Sequence, residues 1–235
     1  MKYIPRALKE TIKERLSTDS RIVLLLGPRQ VGKTTLAQEL MREVAGQNYL
    51  QLSGEDPRTA ELIAACDLSR LRGVFSGYRY VLLDEAQHIP NVGTALKIVY
   101  DNRMPGASSE MDPRILVTGS SSLSLAGGTR EALTGRTWSY NLYPIAFKEL
   151  LSLENQFELE GRLKDALVLG MYPALFSFPN RSDRVEHLHE LSTAYLYRDV
   201  LELGGIKNSR KLRDLLRLLA YQLGSEVSYQ ELGRQ

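Results

Sequence analysis

A glycine-rich turn between an apolar run and a helical pattern constrains this chain more than any other feature. The stretch "GPRQVGKT", Gly27–Thr34, follows the apolar "RIVLLL" and fits the pattern G-x-x-x-x-G-K-[ST]. Such a loop turns successive backbone N–H groups inward and forms a nest for an anion. The helix that follows adds the partial positive charge of its N-terminus. The spacing therefore predicts a strand, a phosphate-binding loop and a helix, in that order.

The loop and the start of the helix supply the candidate phosphate ligands. Lys33 is placed to reach the terminal phosphates of a nucleotide, and the Thr34 hydroxyl is placed to coordinate Mg²⁺. The residues expected to contact the nucleotide are Gly27, Pro28, Arg29, Gln30, Val31, Gly32, Lys33, Thr34 and Thr35.

Two carboxylates directly follow a second apolar run. Asp84 and Glu85 come after "YVLL", and ligands of open α/β sheets collect at the carboxyl ends of strands. We expect Asp84 to hold Mg²⁺ through its water shell. Glu85 is expected to be the catalytic base that orients the attacking water.

Two more polar residues are candidates for contact with the phosphate. Ser120 follows the strand-like "RILVTG", where it could touch the γ-phosphate or the lytic water. Arg136, in "LTGRT", could supply the cation for charge that develops during phosphoryl transfer. An ordinary loop serine and a surface arginine are the alternative interpretations.

Strand-like and helix-like segments alternate through the first part of the chain. The pattern predicts an α/β fold with a parallel sheet flanked by helices. The predicted strands are 21–26, 80–83, 115–118, 137–142 and one within 48–57. Residues 58–75 are interpreted as one helix that stops at Gly73.

From about Ala146 the patterns are helical only, so we expect two domains, at residues 1–148 and 149–235. Ser228 stands three residues before Glu231, a capping box that marks a new helix. Only four residues follow Glu231. We therefore expect the helical second domain to be incomplete.

Composition limits the compartment and the partners. The single cysteine, Cys66, excludes an internal disulfide and favours a reducing cytoplasm. No apolar run approaches the length of about 18 residues that a membrane span requires. The net charge of +2 neither demands nor excludes nucleic acid.

Taken in order, six segments resemble one family, the AAA-type P-loop ATPases that carry a C-terminal DUF4143 domain. These segments are "GPRQVGKTT", "YVLLDEAQ", "ILVTGSSS", "LTGRTWSYNLYPIAFKEL", "MYPAL" and "YLYRDV". The resemblance implies ATP and Mg²⁺ as cofactors and a Walker A motif at Gly27–Thr34. It also implies a Walker B motif at Asp84 and Glu85, a sensor at Ser120 and a Gly-Arg motif at Arg136. The tail resembles the opening of a winged-helix-like region.

Three functions stay open at this point. The first is an ATP hydrolase that moves its helical C-terminal part, with oligomerisation possible. The second is a nucleotide-gated DNA-binding regulator with slow hydrolysis, suggested by the basic residues Arg210, Lys211, Arg213 and Arg217. The third, a GTPase or a small-molecule kinase, lacks an Asn-Lys-x-Asp segment to recognise guanine. A protein or DNA partner is expected to bind through the C-terminal region.

Overall fold

The computed structural model describes residues 3–103, 112–120, 123, 129–193 and 209–233. Five parallel strands form one sheet with the spatial order β2-β3-β4-β1-β5. The strands are β1 Ile22–Leu26, β2 Leu50–Ser53, β3 Tyr80–Asp84, β4 Arg114–Gly119 and β5 Thr137–Asn141. The predicted parallel α/β sheet is confirmed. The last two serines of the segment "ILVTGSSS", at 121–122, and the whole segment "YLYRDV", at 195–200, lie outside the described residues.

Helices surround the sheet and follow it. They are α1 Lys9–Thr18, α2 Lys33–Ala45, α3 Pro57–Ala64, α4 Leu68–Phe75, α5 Val92–Asp101, α6 Thr129–Ala132, α7 Phe147–Leu150, α8 Gln156–Leu169, α9 Arg181–Leu191, α10 Ser209–Tyr221 and α11 Tyr229–Leu232. Short 3₁₀ turns cover Ala86–His88 and Pro173–Ser177. Across the described part of the chain, no helix has the length and apolar character needed to cross a membrane.

Both faces of the sheet are buried, which explains why its central strands are apolar throughout. Along β1, Ile22, Leu24 and Leu26 belong to one core cluster, and Val23 and Leu25 belong to the other. The first cluster includes buried residues of α3, α4 and α5, and the second includes those of α1 and α2. The alternation follows from the two-residue period of a strand. The loop after β1 therefore begins at a strand whose side chains are packed on both faces of the sheet.

A third, smaller cluster extends the first compact unit beyond the sheet. Ile4 and Ile145 pack there with Leu150 of α7 and Leu159 of α8. Because of these contacts, the first unit continues to Pro179 and the second begins at Asn180. The sequence instead predicts a boundary at residues 148 and 149, because the change to helical patterns occurs there.

Residues 58–75 form two helices, so the prediction of one helix that stops at Gly73 is wrong. Cys66 breaks the helix with a left-handed backbone, φ 52°. The Asp67 side chain then accepts the Arg70 N–H at 2.9 Å and caps α4. This cap starts a new helix, and Gly73 lies inside it.

The position of Gly73 gives a direct test of this assignment. A Cβ added there would meet no heavy atom within 4 Å. Gly73→Ala should therefore raise the free energy of unfolding by about 0.5–1 kcal/mol, because glycine loses more backbone entropy in a helix than alanine does. Urea denaturation measures the change. A lower stability would mean that Gly73 ends the helix after all.

Candidate functional site

The glycine loop leaves β1 at the carboxyl edge of the sheet, beside the segment that follows β5. The Leu142 N–H donates to the Leu26 carbonyl at 2.7 Å. A Cβ at position 27 would lie 2.3 Å from the Leu142 carbonyl oxygen, and Gly27 has φ 154°. Glycine is therefore required at the first position of the loop, because the neighbouring backbone occupies the space of a side chain.

Lys33, the first residue of α2, places its charge over the loop. Its side chain is buried, with 4% of the residue exposed. The Nζ atom donates to the carbonyl oxygens of Gly27 and Pro28, each at 3.0 Å. A buried ammonium needs such acceptors. The loop backbone thus holds the lysine where the terminal phosphates of a nucleotide are expected.

Asp84 connects the helix after the loop to two strands. The Thr34 Oγ1 atom lies 3.1 and 3.0 Å from the two carboxylate oxygens of Asp84. The Thr118 hydroxyl, on β4, donates to the same carboxylate. Asp84 is only 8% exposed, so these bonds compensate for the burial of its charge.

The donor set around Asp84 fits Mg²⁺. The ion prefers hard oxygen ligands and is usually held by one or two carboxylates together with substrate phosphates. Thr34 and Asp84 provide a hydroxyl and a carboxylate beside the phosphate loop. Within the described residues, no group of three or more His, Cys, Asp or Glu side chains could hold a metal by itself. The Thr34 hydroxyl and the Asp84 carboxylate are therefore the groups here whose chemistry fits Mg²⁺.

Glu85 leaves β3 in a left-handed backbone conformation, with φ 50° and ψ 44°. Its N–H donates to Thr118 Oγ1 at 3.0 Å, and its carboxylate accepts from the side-chain amide of Gln87. On the other side, a Cβ on Gly54 would lie 2.4 Å from the Glu85 carbonyl oxygen. Neighbours on both sides therefore restrict the turn that presents Glu85.

Ser120 lies at the same edge of the sheet, as the sequence predicts. It is buried, and its backbone N–H donates to Gln87 Oε1 at 3.1 Å. The Gln87 amide thus bridges Glu85 and Ser120. The predicted site residues include neither this glutamine nor Thr118 or Gly54. Gln87 could have been found as a polar residue soon after the two carboxylates. Thr118 and Gly54 could have been found because they lie at the ends of β4 and β2, the neighbours of β3.

Arg136 lies at the opposite edge of the sheet. β5 runs parallel to β1, with Thr137 beside Ile22 and Asn141 beside Leu26. Because Arg136 precedes β5, roughly 16 Å along the strand direction separates it from the loop. It does not face the phosphate loop of its own chain. This position fits the alternative interpretation as a surface arginine, and it does not fit contact with a phosphate bound by the loop of the same chain.

The immediate partner of Arg136 is Asp101, at the end of α5. The Nε and Nη2 atoms of Arg136 donate to the two carboxylate oxygens of Asp101 at 2.6 and 2.9 Å. These hydrogen bonds hold the pKa of Asp101 below its usual value. The pair is partly exposed, so its contribution to stability is small.

The described basic residues of α10 do not all lie on one face. Lys211, Arg213 and Arg217 are exposed, and the side chain of Arg210 lies outside the described part of the chain. Arg213 and Arg217 are four residues apart and share a face of the helix. Lys211 is rotated by about 160° from Arg213. The expectation that these residues bind DNA stays a prediction.

Gly54 offers a test of the Glu85 turn. A Cβ at position 54 would collide with the backbone of Glu85, so Gly54→Ala should displace the carboxylate. The ATP turnover that the sequence predicts should then fall by about tenfold or more, because a displacement of about 1 Å at a reacting group slows the reaction strongly. Steady-state phosphate release measures the loss. Gly73→Ala is the matched control, since its added methyl has open space. Equal turnover in the two variants would contradict this role of Gly54.

Comparison with known proteins identifies the class of this chain. The model of the AAA domain family AAA_14 matches residues 19–151, which is more than half of the chain. The chain therefore belongs to the AAA domain family. Residues 160–235 match a domain of unknown function, DUF8612. The expected pairing with a DUF4143 domain is thus not confirmed, because a different domain matches there.

Two relatives and one solved structure show what this chain is similar to. An uncharacterised protein of Mycobacterium tuberculosis is 29% identical over 216 residues, which cover 91% of this chain and 44% of that protein. The replication factor C large subunit of Pyrobaculum arsenaticum is 36% identical over 124 residues, 48% of this chain and 29% of the relative. The Walker-type ATPase of Pyrococcus abyssi has the same fold, with a TM-score of 0.56, 16% identity and coverage of 99% of this chain and 87% of that one. The chain spans less than half of the length of these two relatives.

Proposed function

We propose that this chain binds ATP together with Mg²⁺ and hydrolyses it. The observation that supports this most strongly is the contact between the Thr34 hydroxyl and the Asp84 carboxylate. It lies next to a lysine that the loop backbone holds in place. Glu85 and Ser120 lie at the same edge of the sheet, where ligands of parallel sheets bind.

Each residue has a role in binding. The N–H groups of the loop and the Lys33 ammonium bind the phosphates of ATP. Thr34 and Asp84 hold Mg²⁺, which when bound neutralises charge on the β- and γ-phosphates. Ser120 contacts the γ-phosphate or the water that attacks it.

Glu85 performs the proton transfer. Its carboxylate accepts a proton from a water molecule as the water oxygen forms a bond to the γ-phosphorus. The bond from that phosphorus to the oxygen shared with the β-phosphate breaks, which leaves ADP and inorganic phosphate. The Gln87 amide holds the Glu85 carboxylate, so the base is oriented before the water arrives.

Hydrolysis of ATP is also proposed to change the conformation of the chain. We propose that loss of the γ-phosphate is sensed at Ser120 and Gln87 and drives a conformational change of the helical unit that begins at Asn180. Order and position of loops around a γ-phosphate often change on hydrolysis. A protein or DNA partner would bind through the helical unit.

Two substitutions separate binding from hydrolysis. Glu85→Gln keeps the size of the side chain and removes the base, so ATP should still bind while turnover falls by about 10²–10⁴-fold. Lys33→Ala should instead weaken binding of Mg·ATP, because it removes a charge from the phosphates. Calorimetric titration and phosphate release measure the two effects.

Folding controls make this comparison decisive. Both variants should retain a cooperative unfolding transition. Normal ATP affinity in a folded Lys33→Ala protein would refute the assignment of the loop. Hydrolysis at the wild-type rate by Glu85→Gln would place the base elsewhere.

We propose that Arg136 acts on the phosphate bound by a neighbouring chain. Arg136 lies at the edge of the sheet where the strands begin, away from the phosphate loop of its own chain. Its guanidinium is partly exposed and its partner Asp101 is exposed, so a neighbouring chain can reach the pair. One relative is by name a subunit of replication factor C, and association of this chain with further copies is part of the proposal.

Mixing variants tests the role of Arg136 in trans. Arg136→Ala should lower turnover by about 10³-fold if the arginine stabilises the transition state. An equal mixture with Glu85→Gln should regain activity, because one shared site then has both groups. Asp101→Asn is the control and should stay active, since it leaves the arginine in place. Normal turnover by Arg136→Ala alone would make it a surface residue.

A further inference from the structure

Arg6, in the segment before α1, connects three parts of the chain behind the phosphate loop. It is 8% exposed. Its Nη1 atom donates to the Val31 carbonyl at 2.9 Å, and its Nη2 atom donates to the Tyr143 carbonyl. Its Nε atom donates to Glu149 at 3.3 Å. One side chain therefore contacts the loop, the segment after β5 and helix α7.

Glu149 fixes this guanidinium. Its Oε1 atom also accepts the Ala7 N–H at 2.7 Å, and its Oε2 atom accepts the Ala146 N–H at 2.9 Å. The two side chains of the ion pair are 6% and 7% exposed. A buried ion pair is tolerated only when further hydrogen bonds satisfy both partners. The contacts of Arg6 and Glu149 meet that requirement, so the guanidinium has one defined position.

The contact of Arg6 with the Val31 carbonyl determines the direction of the next N–H group in the loop, that of Gly32. The Val31 carbonyl and the Gly32 N–H belong to one planar peptide unit, and no peptide bond in the described residues is cis. In a trans peptide the two groups point in opposite directions. Because the Val31 carbonyl points at Arg6, the Gly32 N–H is turned away from Arg6. The inward N–H groups of such a loop are those that bind phosphate.

The same guanidinium also affects the far side of the loop. Tyr143, which it holds, follows Leu142, and the Leu142 carbonyl fills the space beside Gly27. Both ends of the glycine loop are therefore held against the segment after β5. A lysine could not reproduce this, because one ammonium lacks the planar fork that reaches several acceptors at fixed angles.

We propose that Arg6 is a positioning residue for the phosphate loop. By holding the Val31 carbonyl it orients and polarises the Val31–Gly32 peptide, so that the Gly32 N–H donates to the bound phosphate. Hydrogen bonds in such a chain strengthen one another. This role rests on the proposed binding of ATP and adds a residue that does not itself touch the nucleotide.

Two variants of the ion pair distinguish positioning from stabilisation. Arg6→Lys loses the fork, and Glu149→Gln weakens the ion pair but leaves the Arg6 contact with Val31. Both should lower the Tm. Only Arg6→Lys should raise the Kd for Mg·ADP by about tenfold or more, because the Gly32 N–H then loses its orientation for a hydrogen bond to the charged phosphate. Glu149→Gln should change it by less than about threefold. Equal losses of affinity in the two variants would overturn the proposal.

The amide NMR signal of Gly32 without nucleotide separates this inference from the proposed function. Arg6→Lys should shift this signal, because the hydrogen bond to the carbonyl of the same peptide is lost. Arg21→Lys is the control, since Arg21 pairs with Asp19 at 2.8 Å at the opposite edge of the sheet. An unchanged Gly32 signal in Arg6→Lys overturns the role of Arg6. Failure of the wild type to bind Mg·ADP, with a shifted Gly32 signal in Arg6→Lys, would refute the proposed function alone.

A measurement on the wild type covers the case in which Arg6→Lys does not fold. Phosphate bound at the Gly32 N–H should strengthen the bond from Arg6 to the Val31 carbonyl. The guanidinium NMR signals of Arg6 should therefore shift when Mg·ADP is added, and those of Arg21 should not. Arg6 signals that stay fixed while the loop amides shift would overturn the proposal.

Discussion

The buried carboxylate of Asp84 accepts hydrogen bonds from two elements that are distant in the chain. Thr34 lies on α2 and Thr118 lies on β4, and both hydroxyls contact the same carboxylate at the end of β3. A buried charge without such donors would cost several kcal/mol. The helix that follows the phosphate loop and the two central strands therefore have one relative position in which the charge is satisfied. Glu85 takes its place from this arrangement, because its N–H donates to Thr118.

The sequence was sufficient to predict the residues at this edge because the sheet is parallel. All carboxyl ends of parallel strands lie at one edge, so residues that follow different strands meet whatever the strand order is. Four predicted site residues come directly after or soon after a predicted strand: Lys33, Asp84, Glu85 and Ser120. The same rule explains the position of Arg136, which precedes its strand and therefore lies at the other edge.

The remaining features depend on contacts that no local pattern encodes. Arg6 and Glu149 are 143 residues apart in the chain. Arg6 belongs to no motif, and the family resemblance implies no role for Glu149, although the residue lies within one of the segments that carry it. The break at Cys66 depends on a competition between a continuing apolar pattern and a single capping carboxylate at Asp67. Periodicity describes which side of an element is buried. It does not describe which buried polar groups become partners.

The small core around Ile4 and Ile145 has a consequence for how such chains evolve by recombination. A crossover that exchanged the C-terminal part at residue 148 would remove Leu150 and Leu159 from this core. Each buried leucine contributes about 1.5–3 kcal/mol, and domains have only about 5–15 kcal/mol to lose. Shuffled genes that retain a folded AAA domain should therefore join their new partner after Pro179, so that α7 and α8 are inherited with the sheet.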